Sequence, residues 1–270
     1  MIDADTFLHR TELDRTTFPD LRERIARAEA EGDAMISRPR SYPGYPRWPL
    51  ERVRPRRWSI SLEQVLTVRR CLTALDTGMP DRRVLSRLLQ SAHGINAAHN
   101  RGPTPSAGGL QALELYLVSR PASWLPPGIY HYDRLGHHLA QIADRADRVV
   151  WDDIVPSLRA IDGGALLWIV VGELPRVAAK YGDRAGRFLL LEAGHLMQNL
   201  CLVSAALGLC TVPLGGAFER EIARRLVLPS TDAVLYLGVC GRFSRGVSRP
   251  DHVRGSAKVP RGRITAPAPS

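Results

Sequence analysis

The chain has 270 residues, of which 44% are hydrophobic, so it is long enough and apolar enough to fold around a sizeable core. Its formal net charge is +10, and six basic residues against one acidic residue in Phe243 to Ser270 supply half of that excess. Because this charge lies in a tail of low apolar content and no nucleic-acid-binding module accompanies it, a solvated tail is favoured over a nucleic-acid interface.

Cysteine usage and hydropathy narrow the class of protein further. Cys71, Cys201, Cys210 and Cys240 lack the C-x-x-C spacing of a zinc site, and their surroundings predict buried thiols rather than disulfides. The N-terminus is acidic where a secretory signal would be basic and then apolar, so we expect a cytoplasmic protein. The most apolar stretch, Phe188 to Leu214, contains four polar residues that would be costly in hydrocarbon, which predicts a buried helix and no membrane span.

Residues 1–57 form a leading segment that differs in composition from the rest. One amphipathic helix is predicted from Phe18 to Glu31. It is followed by RPRSYPGYPRWPLERVRPRR, whose prolines exclude a regular helix or a central strand. We expect this part to wrap over the surface in extended form or to link an N-terminal element to the main domain.

Two helices and a loop open the main domain, which we expect to span residues 58–242. The first helix is predicted from Ser61 to Leu75, where an S-x-x-Q capping box marks its start. The second is predicted from Asp81 to Ala92, with a leucine face turned to the core. The stretch from Asn96 to Gly109, rich in proline and glycine, predicts a loop.

The remaining elements predict an α+β fold. Segments rich in Val, Ile, Leu, Trp and Tyr predict strands at Leu113–Ser119, Gly128–Tyr132, Ala165–Val171 and Val234–Cys240. Helices are predicted at Trp151–Ala160, Tyr181–Leu207 and Ala217–Leu226. Since strands and helices do not alternate strictly, a sheet covered by helices is favoured over a doubly wound parallel sheet. Residues 243–270 lack periodicity and predict a basic, flexible tail.

Three polar residues share one face of the longest predicted helix: Glu192, His195 and Asn199. The Glu-x-x-His spacing is also found in di-iron carboxylate bundles, but those need a second such pair and two further glutamates. The sequence offers neither, so no metal site is predicted. A hydrogen-bonded buried pair, Glu192 with His195, that orients the helix is favoured over direct catalysis.

Lys180 and Tyr181 lie at the junction between a polar loop and the apolar helix, where a side chain can face a cavity. A lysine or a tyrosine hydroxyl there could remove a carbon-bound or nitrogen-bound proton. On the dipeptide alone, a solvated helix start is favoured over a catalytic role.

Two further groups of residues suit an anionic ligand. The small residues of Pro105–Gly109 let backbone amides approach a ligand closely, and Ser106 adds a hydroxyl. Arg69 and Arg70 in a helix, with Arg242 near the end of the last strand, would suit a phosphate, as would surface arginines in any basic protein. No Walker or G-x-G-x-x-G motif is present, which disfavours a nucleotide triphosphatase or a dinucleotide cradle.

Four motifs in this order resemble the SagB/ThcOx-type dehydrogenases, a branch of the FMN-dependent nitroreductase superfamily. They are PSAGGLQALELYLV from Pro105, GIYHYD from Gly128, KYGDRAGRFLLLEAGHLMQNLCLVSAALGL from Lys180, and LYLGVCG from Leu235. The resemblance implies a nitroreductase-like α+β fold with a central, mostly antiparallel sheet. It also implies a homodimer that holds FMN at its interface.

The resemblance also assigns roles to residues. The loop at Ser106, Ala107 and Gly108 and an R-x-S-x-R helix would contact FMN, and Lys180 with Tyr181 would serve the chemistry. By the same analogy, Leu214, Gly215 and Gly216 would bring backbone close to the flavin. This chain departs from the helix pattern, because Cys71 and Thr73 follow Arg69 and Arg70 where the family has a serine and a second arginine.

Three functions follow as expectations. The leading one is an FMN-dependent dehydrogenase that oxidises thiazoline or oxazoline rings to azoles in a ribosomally made peptide, with a possible cyclodehydratase complex as partner. The second is an NAD(P)H-dependent nitro or quinone reductase. The third is a scaffold subunit that binds flavin poorly, which the departures at Cys71 and Thr73 motivate.

Overall fold

The computed structural model describes residues 4–30, 39–53, 60–95, 101–120, 124–144 and 148–243. Its α-helices are α1 Ala4–Arg10, α2 Phe18–Ala30, α3 Leu62–Val68, α4 Arg82–His93, α5 Arg148–Ile154, α6 Leu174–Tyr181, α7 Ala185–Ala206 and α8 Glu219–Arg225. Its strands are β1 Arg47–Pro49, β2 Ala74–Asp76, β3 Leu113–Ser119, β4 Gly128–Asp133, β5 His138–Ala143, β6 Asp162–Gly163, β7 Leu166–Glu173, β8 Leu209–Leu214 and β9 Asp232–Phe243. Short 3-10 helices cover Ala107–Gly109, Pro156–Ala160 and Gly182–Arg184.

These strands form one sheet in the order β1-β5-β4-β3-β7-β9-β2-β6, and β8 also pairs with β9. Among the described strands, β2 and β6 run parallel and the other pairings are antiparallel. The α+β prediction is therefore confirmed. Strands β3 and β7 lie in the middle and are buried along almost their whole length, which explains why both read as continuous apolar runs.

Helices cover both faces of the sheet. On one face, α4, α6 and α7 pack over β3 and β7, and the predicted leucine face Leu85, Leu88 and Leu89 is fully buried there. On the other face, α5 and α8 pack through Trp151 and Ile222. The long helix α7 therefore lies in the core of one layer, with one edge open to solvent.

The predicted strands are all present, with ends moved by at most three residues, but five short strands were missed. Strand β8 shows why. The sequence prediction took Gly208 and Pro213 as the end of a helix, whereas the chain turns at Gly208 with φ +72° and continues as a strand. Proline has no N–H to donate, and Pro213 is tolerated because β8 pairs on one side, with β9.

The first predicted helix of the main domain is too long. The capping box forms as expected, with the Ser61 side chain accepting from the Gln64 backbone, but α3 ends at Val68. Arg69 has an extended backbone with ψ 122°, and β2 follows because Leu75 is buried in register with β6 and β9. Arg69 and Arg70 therefore lie after a helix and not inside one.

Two other helix predictions are split by the residues that break them. Pro156 ends the predicted helix Trp151–Ala160 after α5, and a 3-10 turn follows. Gly182, at φ +55°, ends α6, so the predicted helix Tyr181–Leu207 becomes α6, a 3-10 turn and α7. Lys180 and Tyr181 consequently stand at the end of one helix and not at the start of the long one.

The described part of the leading segment touches the sheet at several points. The Arg40 guanidinium bonds the carboxylates of Asp232, at 2.5 Å, and Glu173, at 2.8 Å. The Tyr42 hydroxyl lies 2.7 Å from that of Tyr116, and β1 adds to the sheet beside β5. Residues 1–3, 31–38 and 54–57 of this segment, and the predicted tail from 244 onward, lie outside the described residues.

The cysteines and the most apolar helical stretch can be compared with what their composition predicts. Cys201, Cys210 and Cys240 are buried as predicted, but Cys71 is exposed because α3 ends before it. The helical stretch Leu174–Ala206, with a mean hydropathy of 1.3 in its most apolar window, is long and apolar enough to cross a membrane. In the fold it packs against the sheet and α4, as expected for a core helix.

Candidate functional site

The loop that precedes β3 is fastened along α7 by the polar face predicted from sequence. The Asn199 amide donates to the Thr104 hydroxyl at 3.4 Å and to the Ala92 carbonyl at 3.3 Å. One turn earlier, His195 Nδ1 lies 3.4 Å from the Pro105 carbonyl. The two side chains thus fix the loop against one side of α7.

Glu192 makes the most buried of these attachments. It is 3% exposed, and its carboxylate accepts hydrogen bonds from the Ser106 hydroxyl and the Ala107 backbone. Burial raises the pKa of this carboxyl, and the hydrogen bonds offset part of the rise. The Ser106 oxygen also accepts from the Gln111 backbone at 2.8 Å, so one hydroxyl ties both ends of the loop together.

The prediction of a buried Glu192–His195 pair is therefore half right. Glu192 is buried, whereas His195, one turn further along α7, is exposed. Each bonds a different loop residue. These residues position the loop and not the helix alone.

The loop places Gly108 against the lysine–tyrosine pair. Gly108 has φ +57°, and a Cβ at this position would lie 2.5 Å from the Tyr181 hydroxyl oxygen and 3.3 Å from Lys180 Nζ. The Tyr181 ring packs on Phe188, with centroids 4.8 Å apart. Glycine is therefore favoured at 108 by the backbone conformation, and any side chain there would displace the ends of Tyr181 and Lys180.

A buried polar network that sequence reasoning missed supports the far end of the loop. Gln111 has the left-handed φ of +53°, which is uncommon for a residue other than glycine. Its carbonyl accepts from Arg134 at 3.0 Å and from Arg176 at 2.9 Å. Two guanidinium groups on one carbonyl hold this strained turn, which joins the loop to β3.

The polar network continues into strands β3 and β4. Glu114 is fully buried between His131, at 2.8 Å, and Arg134, at 3.5 Å. Burial alone would raise the pKa of Glu114, but Arg134 and His131 outweigh it and lower the pKa to about 2. The signal was present in the sequence as a glutamate inside the apolar run LELYLV, since buried carboxylates need partners.

The predicted phosphate-binding arginines lie elsewhere. The Arg70 carbonyl accepts from the Cys210 thiol at 3.3 Å, and the Arg70 guanidinium lies over the Phe243 ring. Arg242 pairs with Leu209 across β8 and β9, and its side chain is 3.6 Å from Asp81. Arg69 lies 3.9 Å from the Cys71 sulfur. The structure thus gathers these three arginines near the start of β8.

Leu214, Gly215 and Gly216 follow the other end of β8. Leu214 is buried, whereas Gly215 is exposed, and a Cβ on Gly215 would meet nothing within 4 Å. The Gly216 carbonyl accepts from the Ser157 hydroxyl at 2.8 Å, which fixes the backbone after this open point.

The predicted site therefore divides into two halves. We call Ser106, Ala107, Gly108, Lys180 and Tyr181 the loop half, and Arg69, Arg70, Arg242, Leu214, Gly215 and Gly216 the arginine half. Lys180 and Tyr181 precede the N-terminal end of α7, and the arginines lie beyond its C-terminal end. A helix of 22 residues is about 33 Å long, so one chain holds these two groups at opposite ends of α7.

The chemistry of both halves fits FMN. Guanidinium groups are suited to a phosphate, and the arginines stand about 17 Å along β8 from the exposed backbone at Gly215. In the loop half, the exposed Gly108 backbone lies beside a hydroxyl and an ammonium, groups that can hydrogen-bond a flat polar ring. The donor sets thus match the two ends of a flavin mononucleotide.

Comparison with known proteins gives the family. A family model described as Nitroreductase family matches residues 66–242. A protein of Methanocaldococcus jannaschii that carries a provisional nitroreductase name is 31% identical over 185 residues, which cover 68% of this chain and 91% of that protein. Because the family model covers more than half of the chain and this relative most of its own length, the chain belongs to the nitroreductase family.

Solved structures agree on the fold. A provisionally named nitroreductase from Ralstonia eutropha JMP134 superimposes with a TM-score of 0.63 at 22% identity, covering 76% of this chain and 93% of that chain. A chain from the Escherichia coli microcin synthetase McbBCD complex, solved with truncated pro-MccB17 bound, gives 0.57 at 19% identity, covering 90% and 88%. The expected nitroreductase fold is confirmed, and the SagB/ThcOx branch is a finer assignment.

Proposed function

We propose that this nitroreductase-family oxidoreductase is an FMN-dependent dehydrogenase of the SagB/ThcOx type, which oxidises azoline rings to azoles in a modified peptide. The observation that carries the proposal is the contact of Gly108 with Lys180 and Tyr181, which joins two motifs 72 residues apart in sequence at one point. The likeness in fold to a chain of the microcin synthetase complex, over 90% of this chain, supports a role in such a pathway and a possible cyclodehydratase partner.

The reaction asks two things of the protein. The azoline ring must lose a hydride from one carbon and a proton from its neighbour, and bound FMN supplies the hydride acceptor. Lys180 or Tyr181 removes the proton, and Gly108 leaves both side chains room beside the loop. Aromatisation drives the reaction, so alignment by Glu192, Ser106 and the loop is the main contribution of this chain.

We infer further that the flavin lies between two copies of the chain. The arginines and the loop half of one chain stand at opposite ends of α7, so a second copy is needed to bring the arginines to a loop half. Exposed leucines favour such an association: Leu62 and Leu66 on α3, and Leu190 and Leu191 on α7, are each at least half exposed. A homodimer would cover them.

The first experiment compares substrates on purified full-length protein that has been shown to release FMN on denaturation. We expect oxidation of a thiazoline- or oxazoline-containing peptide under oxygen, and a loss of about 100-fold or more in kcat for Lys180→Ala and Tyr181→Phe. Wild-type rates in both variants, with FMN still bound, would show that this assignment is wrong.

A second candidate function is an NAD(P)H-dependent nitro or quinone reductase. The 31% identical relative with a provisional nitroreductase name favours it. Steady-state NADPH oxidation with a nitroaromatic acceptor, in the absence of any azoline turnover, would support this reductase in place of the dehydrogenase. Protein that folds and dimerises but releases no FMN would instead support the scaffold role.

A further inference from the structure

Lysine is rare in this chain. Of the 37 basic residues, Lys180 and Lys258 are the two lysines, and arginine supplies the rest. An ammonium is compact and rotates freely about its bond, whereas a guanidinium is planar and broad. A lysine at 180 therefore places a compact cation at the candidate site, where its neighbours can fix its position.

A carboxylate from the N-terminal segment sets that position. Lys180 Nζ lies 3.0 Å from Oε1 of Glu29, in the last turn of α2. The lysine side chain is 12% exposed and the glutamate side chain 63%, so the carboxylate reaches in from the surface to a largely covered ammonium. The two residues are 151 positions apart in sequence, and the contact exists because α2 packs on α6.

The helix pair α1 and α2 is fixed to the beginning of α7 by two arginines. Arg187 donates to the Thr11 hydroxyl at 2.7 Å and to the Leu8 carbonyl at 2.8 Å, and Arg184 donates to the Thr11 carbonyl at 2.5 Å. These acceptors lie at the C-terminal end of α1, where helix carbonyls are left without intrahelical partners. The anchor is well packed, since Thr11 is 3% exposed.

The same helix pair touches the turn that follows Tyr181. The Phe7 ring lies 3.5 Å from the position that a Cβ on Gly186 would occupy. The Arg24 side chain lies 3.4 Å from the position that a Cβ on Gly182 would occupy. Contacts from α1 and α2 therefore border the segment from Lys180 to Arg187.

We propose that Glu29 is a positioning residue for Lys180, and that α1 and α2 form a wall of the candidate site that delivers it. Glu29 accepts a hydrogen bond from the ammonium and holds Nζ beside Gly108 and the Tyr181 hydroxyl. This inference rests on the proposed function with Tyr181 as the proton acceptor, because an ammonium held by Glu29 has no lone pair to accept a proton. Lys180 then serves the reaction as the cation beside the Tyr181 hydroxyl.

The scarcity of lysine makes the contact directly measurable. Purified full-length protein is treated briefly with the N-hydroxysuccinimide ester of acetic acid and digested with trypsin. Lys180 then lies in the peptide Val177–Arg184 and Lys258 in Gly255–Arg261, so mass spectrometry gives both extents of acetylation in one sample. The ratio of Lys180 to Lys258 acetylation reports how far Lys180 is held and covered, with Lys258 as the internal reference.

Glu29→Gln should raise this ratio about threefold or more, because the neutral amide holds the ammonium less firmly. Thr11→Val, which removes the hydroxyl that Arg187 bonds, should raise it as well by loosening the wall. The matched control is Glu23→Gln, which removes an ion pair with Arg27 within α2 at 2.9 Å and should leave the ratio at the wild-type value. A wild-type ratio in Glu29→Gln overturns the proposal.

Kinetics on the same variants shows whether Glu29 positions Lys180 for the reaction or only shields it from the reagent. Glu29→Gln should lower kcat about threefold to tenfold with KM little changed, Glu29→Asp should recover part of the loss, and Glu23→Gln should behave as wild type. An unchanged kcat in Glu29→Gln, where Lys180→Ala abolishes turnover, also overturns it. If Lys180→Ala and Tyr181→Phe both keep wild-type turnover, the proposed function fails, and the acetylation ratio still decides whether Glu29 holds Lys180.

Discussion

The loop half and the arginine half of the predicted site are held in different ways. In the loop half, Glu192 and Ser106 bond each other beneath the loop, and Gly108 touches Tyr181 at a distance that leaves no room for a side chain. In the arginine half, Arg242 is 41% exposed, and its contact with Asp81 is long, at 3.6 Å. The first half is thus fixed before any ligand binds, whereas the second offers surface cations.

The difference teaches where sequence change is tolerated. The two departures from the R-x-S-x-R pattern that the resemblance implies, Cys71 and Thr73, are exposed and directly follow Arg69 and Arg70 of the arginine half. Exposed side chains can change with little effect on folding, so these departures would alter flavin affinity without altering the fold. The loop half has less freedom, because Ser106, Lys180 and Tyr181 each contact another part of the fold through their side chains.

The largest expected effect is steric. Gly108→Val should lower turnover about 100-fold, because its Cβ would displace the Tyr181 hydroxyl and Lys180 Nζ. The control is Gly44→Val, which has a similar strained φ of +87° but open space around it, and which should keep wild-type turnover. Wild-type turnover in Gly108→Val would show that room for the pair is not needed, and an equal loss in Gly44→Val would assign the effect to backbone strain.

Removing the Ser106 hydroxyl of the loop half should lower stability. Ser106→Ala takes one of two hydrogen bonds from the buried Glu192 carboxylate and removes the acceptor of the Gln111 N–H, at a cost of about 1–3 kcal/mol in the free energy of unfolding. Ser157→Ala, which breaks an exposed hydrogen bond to Gly216 in the arginine half, should cost less than about 1 kcal/mol. Urea denaturation of both variants measures the difference, and equal costs would contradict the contrast between the halves.

Restoring the family pattern should act on the arginine half. Cys71→Ser with Thr73→Arg adds a hydroxyl and a guanidinium near Arg69, so the dissociation constant for FMN should fall about tenfold. The unfolding midpoint without added flavin should stay within error of wild type, because both positions are exposed. Fluorescence titration of flavin-stripped protein provides the measurement, and an unchanged dissociation constant would argue against a flavin phosphate at these arginines.

The smallest expected effect is a loss of stability at acidic pH, caused by Glu114. The pKa of Glu114 is lowered to about 2, and in the unfolded chain it returns to about 4.5. The unfolded state therefore binds more protons than the folded state between these values, and stability is lost as the pH falls through that window. From pH 4.5 to 3.5, the melting temperature should fall by about 2–4 °C from this residue. Glu114→Gln should show a flatter profile over the same range, and an equally steep one would remove Glu114 as the cause.

Much of the fold could be read from the sequence. The central strands β3 and β7 are fully buried, so their apolar runs were unmistakable, and α4 was framed by Asp81 and Gly94. The elements that were missed are defined by distant partners. Strand β2 has three residues and depends on Leu75 pairing with β9 and β6, which no local pattern announces.

The site was predicted by residue but not by arrangement. Gly108, Lys180 and Tyr181 were each singled out, yet their contact depends on Gly182 ending α6, a signal that was present and was read as part of a longer helix. Glu29 and Arg134 were not singled out, because each acts through a residue far away in sequence. A charged residue within an apolar or helical segment therefore predicts a polar partner elsewhere in the chain.

The central claim is that an arginine half from one copy and a loop half from the other complete each flavin site. Mixed dimers test it directly. One chain carries Lys180→Ala and Tyr181→Phe, the other carries Arg69→Ala and Arg242→Ala, and the two are mixed after mild dissociation or co-expressed. Since half of the dimers would be mixed and each would hold one intact site, turnover should return to about one quarter of wild type. If each site instead lay within a single chain, the mixture would be as inactive as its two parents, and the account would be contradicted.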